Sequence, residues 1–322
     1  MTHQSLLTHD GRFTWRSGRT GCQKPRGNAL RWSGALFAGL LWLSLPAADL
    51  AAAEAAGAAQ SDSAATELAG RNTQRLLLLG QGPDRHAWST HEYMAGVNIL
   101  AKCLADVEGL QTIIVRADEP FSQGPELLDG ADGLVLFVSE GAKWLHQDEA
   151  RLAAFRSMAA RGKGLVVLHW GMGCKDAQYI KGFVNLFGGC HGGPDRKHGI
   201  YQVRATVDAP DHPIMRGIGS FDVEDEFYHH LKFPQPAQGI TSLLRVPVLG
   251  EQQTVAWAWE RPNGGRSAGF SGCHFHRNWE LEEYRRLATQ AVLWSLKRPV
   301  PEDGQTVDVA KEILYLPPRE KE

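Results

Sequence analysis

A chain of 322 residues with 43% hydrophobic content is long enough to bury a sizeable core, and a formal net charge of −2 offers no basic field for gripping nucleic acid. Its five cysteines are too few and too scattered for a disulfide framework. These numbers leave a globular protein and disfavour a nucleic-acid partner.

The N-terminal residues differ in kind from the rest. Arg12, Arg16, Arg19, Lys24, Arg26 and Arg31 precede an apolar run from Ala35 to Leu45, and small residues follow through Ala53. That order predicts a signal peptide over 1–53 and export to the periplasm or the extracellular space. The run is shorter than the roughly 20 residues a membrane span needs, so no stable span is expected after processing. Cleavage near Ala53 removes six basic and two acidic residues and moves the net charge from −2 to −6. Residues 54–72, rich in Ala, Ser and Gly, read as a flexible linker, 73–299 as the folded domain and 300–322 as a tail.

The domain opens with RLLLLG, Arg75 to Gly80, an apolar run of strand length. A turn-rich loop carrying His86 and Trp88 follows. Ser89 and Glu92 have capping-box spacing, and Met94, Val97, Leu100 and Leu104 recur at helical intervals, which predicts a helix from Thr90 to Ala105 with His91 in its first turn. Gln111 to Arg116 and Gly133 to Gly141 read as two more strands, the latter ending at Ser139 and Glu140. Leu152, Phe155 and Ala159 then mark a helix that Gly162 suits as a C-terminal cap. GLVVLHWGMG, Gly164 to Gly173, is a buried strand that stops at His169 and Trp170. Connections this long between strands argue for a parallel sheet covered by helices, with the ends after Leu79, Phe137 and Leu168 on one rim.

The second half continues with a helix over Ala177 to Phe187 and a glycine-rich loop, Gly188 to Gly199, carrying His191 and His198 but neither a Walker pattern nor GxGxxG. Gly199 to Val207 alternates like a half-buried strand. VEDEFYHH, Val223 to His230, read as a strand puts Asp225, Phe227 and His229 on one face and Glu226, Tyr228 and His230 on the other; a solvated charge cluster is the competing reading. Two strands follow from Ile240 and Thr254. Arg266 to Trp279 is a small-residue strand followed by His274 and His276, which point the same way if extended, a spacing common in metal sites. A helix over Glu280 to Leu296 closes the domain. Pairing of Cys174 with Cys190 stays open, because spacing fixes no geometry.

The ordered segments GLVVLHWG, LFGG, DHPIMRGI, EDEFYHH, VAWAWERPNGGRSAGFSGCHFHRNW and AVLWS resemble the trehalose-utilisation (ThuA-like) family from about Arg75 to Pro301. The resemblance implies an α/β fold with a flavodoxin-like parallel sheet sandwiched by helices, similar to class I glutamine amidotransferases, with additional strands in the C-terminal half. In those amidotransferases the strand matching Gly164 to Leu168 ends in a nucleophilic cysteine; here the place holds His169, and Cys174 lies five residues on, which argues against a glutaminase. The family's histidines and acidic pair map onto His86, His91, His169, His212, Asp225, Glu226, Tyr228, His230, His274 and His276. The resemblance further implies sugar metabolism on trehalose-type glycosides or 3-keto-glycosides.

Convergence of these groups on one rim is the expectation carried forward. Proton transfer falls to His169, to Asp225 or Glu226, and to Tyr228. Trp88, Trp170 and Trp279, with His230, are candidate substrate contacts. His86, His91, His274 and His276 are candidate ligands for a divalent metal such as Zn or Mn. A non-catalytic sugar-binding or scaffold domain is the alternative. A glycoside hydrolase comes third, with Glu140 as a partner carboxylate that no geometry selects.

Overall fold

The computed structural model describes residues 73–318; the signal peptide expected over 1–53 and the linker over 54–72 lie outside the described residues. The first half alternates strands and helices: β1 (Gln74–Gly80), α1 (Tyr93–Cys103), β2 (Leu110–Arg116), α2 (Gly124–Asp129), β3 (Gly133–Phe137), α3 (Gly141–His146), α4 (Glu149–Ala160) and β4 (Gly164–Leu168). The second half holds a short pair, β5 (Gly173–Cys174) and β6 (His191–Gly192), separated by α5 (Ile180–Phe187). Then come β7 (Lys197–Val207), β8 (Phe221–His229), β9 (Ile240–Val248), β10 (Glu251–Glu260), β11 (Arg266–Phe270), α6 (Glu282–Ser295) and α7 (Lys311–Leu314).

Nine strands form one sheet in the order β2-β1-β3-β4-β11-β10-β9-β7-β8. The first five are parallel, in the flavodoxin-like order, and the last four are antiparallel. β3 and β4 are buried at every residue because helices cover both faces: α1 and α6 pack on one side, α4 and α5 on the other. The small residues of β11 have a packing reason. A Cβ on Gly269 would lie 2.2 Å from the Trp257 ring, so the glycine makes room for a fully buried tryptophan whose Nε1 donates to Phe187 O at 3.0 Å. β7 pairs with β8 along nearly its whole length but with β9 only through Thr206 and Val207, so β7 and β8 form a ribbon tied to the sheet at one end.

Three sequence expectations shift. The helix expected from Thr90 begins at Tyr93, because Ser89 and His91 have φ of +70° and +55°, outside the helical region. Half of the capping box survives: Ser89 N–H donates to Glu92 Oε1 at 3.2 Å. The segment from Ala177 begins as a 3-10 turn and becomes α5 at Ile180, while the last helix starts at Glu282 after a 3-10 turn over His276–Glu280. Gly162 does sit past the end of α4 at φ +72°, as a C-terminal cap requires. Cys174 and Cys190 are buried thiols, not a disulfide.

The tail crosses α6. Val307 is buried, its carbonyl accepts from Arg285 Nε at 2.9 Å, and Gln305 N–H donates to Gln290 Oε1 at 2.7 Å. Among the described residues no helix is long and apolar enough to cross a membrane.

Candidate functional site

The loops after β1, β4 and β11 leave the same rim of the parallel sheet and bring His91, His169 and His274 together. Backbone bonds join the first and third loops: His91 N–H donates to His274 O at 3.1 Å, His276 N–H donates to Ser89 O at 2.8 Å, and Thr90 bridges Phe275. His169 comes from the turn after β4, where Leu168 is extended and His169 has φ +44°. Glycine is required around that turn. A Cβ on Gly171 would sit 2.5 Å from Leu136 O, and one on Gly141 only 2.1 Å from Gly171 O, so two backbones touch there. His91, His169 and Cys273, just before His274, all carry left-handed backbone, a cost of roughly 1–3 kcal/mol each that only the surrounding bonds sustain.

The three rings meet through their nitrogens. His91 Nε2 lies 3.0 Å from His274 Nδ1 and 3.2 Å from His169 Nε2, and His274 Nδ1 lies 3.2 Å from His169 Nε2. From the ribbon, Glu226 Oε2 comes to 3.4 Å from His274 Nδ1 and 3.7 Å from His169 Nε2, and Tyr228 OH to 3.1 Å from His169 Nε2. The ligand atoms of His91, His169, His274 and Glu226 all lie within 4.8 Å of one another, the span of a metal's donor set.

Partners outside the cluster fix the tautomers. His169 Nδ1 is 2.8 Å from Ser271 O, and a carbonyl only accepts, so Nδ1 carries the proton and Nε2 a lone pair. His91 Nδ1 donates to Tyr93 OH at 2.7 Å, and Tyr93 in turn donates to Asp84 Oδ2 at 2.7 Å, so His91 Nε2 is also a lone pair. Two lone pairs therefore face each other at 3.2 Å, and the nearest groups able to carry a proton are His274 Nδ1, within 3.2 Å of both, and the Tyr228 hydroxyl, 3.1 Å from His169 Nε2. A cation among these nitrogens and Glu226 relieves that repulsion, and the Asp84–Tyr93–His91 chain is the outer support that metal-binding histidines use.

Electrostatics agree. Burial holds His169 well below the ordinary histidine range, reinforced by His91 and His274, and burial followed by the same kind of repulsion takes His274 down to about 3. Burial also lowers His91, although its bond to Asp84 opposes the shift. Burial pushes Asp84 up, but the bonds from His91, His86 and Tyr93 outweigh it and keep the carboxyl far below its usual range. These rings are neutral donors beside a permanent anion. Tyr228 is raised well above the tyrosine range by burial and by Glu226, so its oxygen keeps its proton.

A cleft of about 160 Å³ opens beside the cluster. That is below the roughly 300–1,000 Å³ of drug-sized sites, so it suits a molecule of monosaccharide size. His86, His91, Glu226 and Tyr228 form one part of its lining and Trp170, Lys175, His191, Arg196 and His198 the rest. His169, Tyr228 and His191 stack as successive layers, with ring centroids 4.6 and 4.1 Å apart. His86 stacks on His91 at 3.6 Å and meets Asp84 Oδ1 at 2.7 Å, so it belongs to the mouth.

Several predicted residues fall elsewhere. Asp225 faces away from Glu226 and Tyr228, as strand alternation requires. It is fully buried, and it accepts from Cys273 N–H and Tyr284 OH at 2.8 Å each and from Phe275 N–H at 3.3 Å. Burial pushes its pKa up to about 6 against those bonds; it positions the His274 loop and does not touch the cleft. His276 turns away because the chain bends into a 3-10 turn after Phe275, and its Nε2 donates to Leu314 O at 2.9 Å. Trp279 packs 1% exposed against Phe137, and Trp88, 47% exposed, gives its Nε1 to Pro317 O, so only Trp170 of the three tryptophans lines the cleft. His230 lies past the end of β8, exposed, its N–H bonded to Gln253. His212 caps the turn at Pro213 and packs on Trp294, away from the rim.

Asp84, Tyr93, His191 and His198 escaped the sequence reading as site residues. Asp84 had a visible signal, two residues before His86 in a loop at a strand end. Tyr93 had none, since it reads as the first apolar residue of a helix. His198 is set by pairing: it stands opposite Tyr228 in the ribbon and its Nδ1 meets Glu226 Oε1 at 2.9 Å.

Fold and site together define an α/β protein with a flavodoxin-like parallel sheet whose β4 strand end holds an imidazole. The trehalose utilisation (ThuA) family matches residues 83–295, and the chain belongs to that family. A ThuA-like protein from Bacteroides uniformis aligns at 17% identity and a TM-score of 0.54, over 71% of this chain and 94% of that one. A ThuA-like protein from Parabacteroides merdae aligns at 14% identity and a TM-score of 0.53, over 72% and 92%. No curated protein matches.

Proposed function

We propose that this chain is an exported enzyme of carbohydrate metabolism, of the trehalose-type glycoside or 3-keto-glycoside class, working at a divalent metal held by His91, His169, His274 and Glu226. The observation that carries the metal is the pair of imidazole lone pairs fixed face to face at 3.2 Å by Ser271 O and by Tyr93 with Asp84. When bound, such an ion polarises a carbonyl oxygen or adjacent hydroxyls. Neutral imidazoles with one carboxylate suit Zn or Mn.

The chain's own groups do the rest. Tyr228 keeps its proton beside His169 and is placed to give it to an oxygen developing charge in the cleft. Glu226 is shared between His198 and the cluster, so its carboxylate is oriented before ligand arrives. Trp170 offers an apolar wall for one sugar face. The family membership supports a carbohydrate ligand, and the charge and apolar order of 1–53 supports export.

Elemental analysis of the purified chain, then Zn and Mn titration of the chelated protein, tests the reading. One equivalent of metal is expected. Removing an outer partner of a metal ligand typically costs about 10–100-fold in affinity, so His169→Ala, which removes a ligand outright, is expected to lose more than about 100-fold. Turnover of 3-keto-glycosides should vanish on chelation and return with metal. Substoichiometric metal in the wild type, or full turnover after chelation, sinks the proposal; tight sugar binding without turnover leaves a binding protein.

A further inference from the structure

We infer that the ligand of this cleft is a sugar carrying an anionic group, a carboxylate or a phosphate, which Arg196 receives while the rest of the molecule reaches the histidine cluster. The inference rests on reading the cleft as the substrate site. Arg196 comes from the glycine-rich loop between β6 and β7 and is half-buried in the cleft wall. Its Nη1 donates to Gly193 O at 3.2 Å, and it pairs with no carboxylate among the described residues. A guanidinium has five N–H donors, so most of its capacity is uncommitted. The nearest acid in sequence is diverted: Asp195 Oδ2 lies 2.5 Å from Lys232 Nζ.

A second cation stands in the lining. Lys175 borders the same cleft, and the carboxylate it approaches, Glu140 Oε1, is 3.7 Å away, beyond hydrogen-bond distance. Glu226 is the one carboxylate in the lining, and His198 holds its Oε1 at 2.9 Å while its other oxygen faces the cluster. Two cations thus line a cleft whose single carboxylate is committed. A neutral sugar that covered Arg196 would bury donors against oxygens of weak acceptor strength, whereas an anion makes charge-assisted, often bidentate bonds that are about twice as strong.

The test compares ligands that differ in charge at one position, by calorimetry on the metal-loaded protein. D-glucuronate is set against D-glucuronamide, and D-glucose 6-phosphate against D-glucose. The wild type should bind at least one anion about tenfold tighter than its neutral counterpart. Arg196→Gln should bring the pair to parity, and Arg196→Lys should keep part of the preference. Equal affinities in the wild type, a preference that survives Arg196→Gln, or no binding of any of the four overturns the inference. Metal content measured on the same samples keeps the two readings apart. Bound metal without anion preference leaves the metal site standing, whereas Arg196-dependent anion preference in a protein that takes up no metal leaves this inference standing alone.

Discussion

The parallel and antiparallel parts of the sheet reach the same point by different means. The parallel strands end in three buried imidazoles, His91 and His169 on left-handed backbone and His274 just after left-handed Cys273, two of them fixed in tautomer by a carbonyl or a tyrosine. The antiparallel ribbon contributes oxygen and charge, Glu226 and Tyr228, from a strand whose partner β7 holds the sheet through only two residues. Glu226, which lines the cleft and approaches the histidines, sits on the ribbon that β7 joins to β9 through two residues. Asp225 joins the two, since it belongs to β8 yet accepts from Cys273, Phe275 and Tyr284 on the parallel side.

The sharpest way to break that arrangement is Asp225→Ala. The N–H groups of Glu226, Cys273 and Phe275 and the Tyr284 phenol would lose an acceptor, each loss costing about 1–3 kcal/mol, so a destabilisation of at least about 3 kcal/mol is expected in urea unfolding. Asp225→Asn keeps one acceptor oxygen and should recover part of it. A loss below about 1 kcal/mol in Asp225→Ala would show that the ribbon does not depend on this tie.

How much of this arrangement the sequence discloses depends on whether a residue's partner is near it in the chain. Strand ends after Leu79, Phe137 and Leu168 follow from apolar runs between glycines, and with them the rim. The opposed faces of Asp225 and Glu226 follow from the two-residue period of a strand. Which face meets the histidines does not, because that depends on the ribbon pairing and on a sheet order that puts β11 next to β4 across about a hundred residues. The same limit misplaces His276: a spacing of two predicts a shared face only in extended chain, and the 3-10 turn after Phe275 removes that premise. Trp279 fails for another reason, since an aromatic at a loop end reads equally as platform or core, and only packing against Phe137 decides.

The second expected effect is smaller and concerns the rim itself. Leu314 O holds His276, and Pro317 O holds Trp88, so the tail ties down both loops that carry His91 and His274. Deleting residues 311–322 removes those two bonds, at about 1 kcal/mol each, and a total loss of about 1–2 kcal/mol is expected. Amide exchange should quicken over residues 84–91 and 273–277 while β7 and β8 stay protected. Uniform acceleration, or none, would separate the tail from the rim.

The smallest effect lies at the opposite end of the antiparallel part, at His212, and it is a question of sign. Burial, with Arg266 nearby, lowers its pKa to about 4 from an unfolded value of 6.5. Between those values the unfolded chain binds a proton the native state refuses, so stability is complete above pH 6.5 and declines as pH falls toward 4. Asn keeps an acceptor for Ile214 N–H, which His212 Nδ1 now receives at 3.2 Å, and it does not titrate. His212→Asn should therefore match the wild type at pH 7 and lose less stability at pH 5, by about 1 kcal/mol once the ring's partial exposure is discounted. Because the rim histidines are untouched, affinity for the proposed metal should be the same in both proteins at each pH. Identical unfolding curves at pH 5 would mean that acid sensitivity resides wholly in the parallel strands' imidazoles, and that the antiparallel part contributes none of its own.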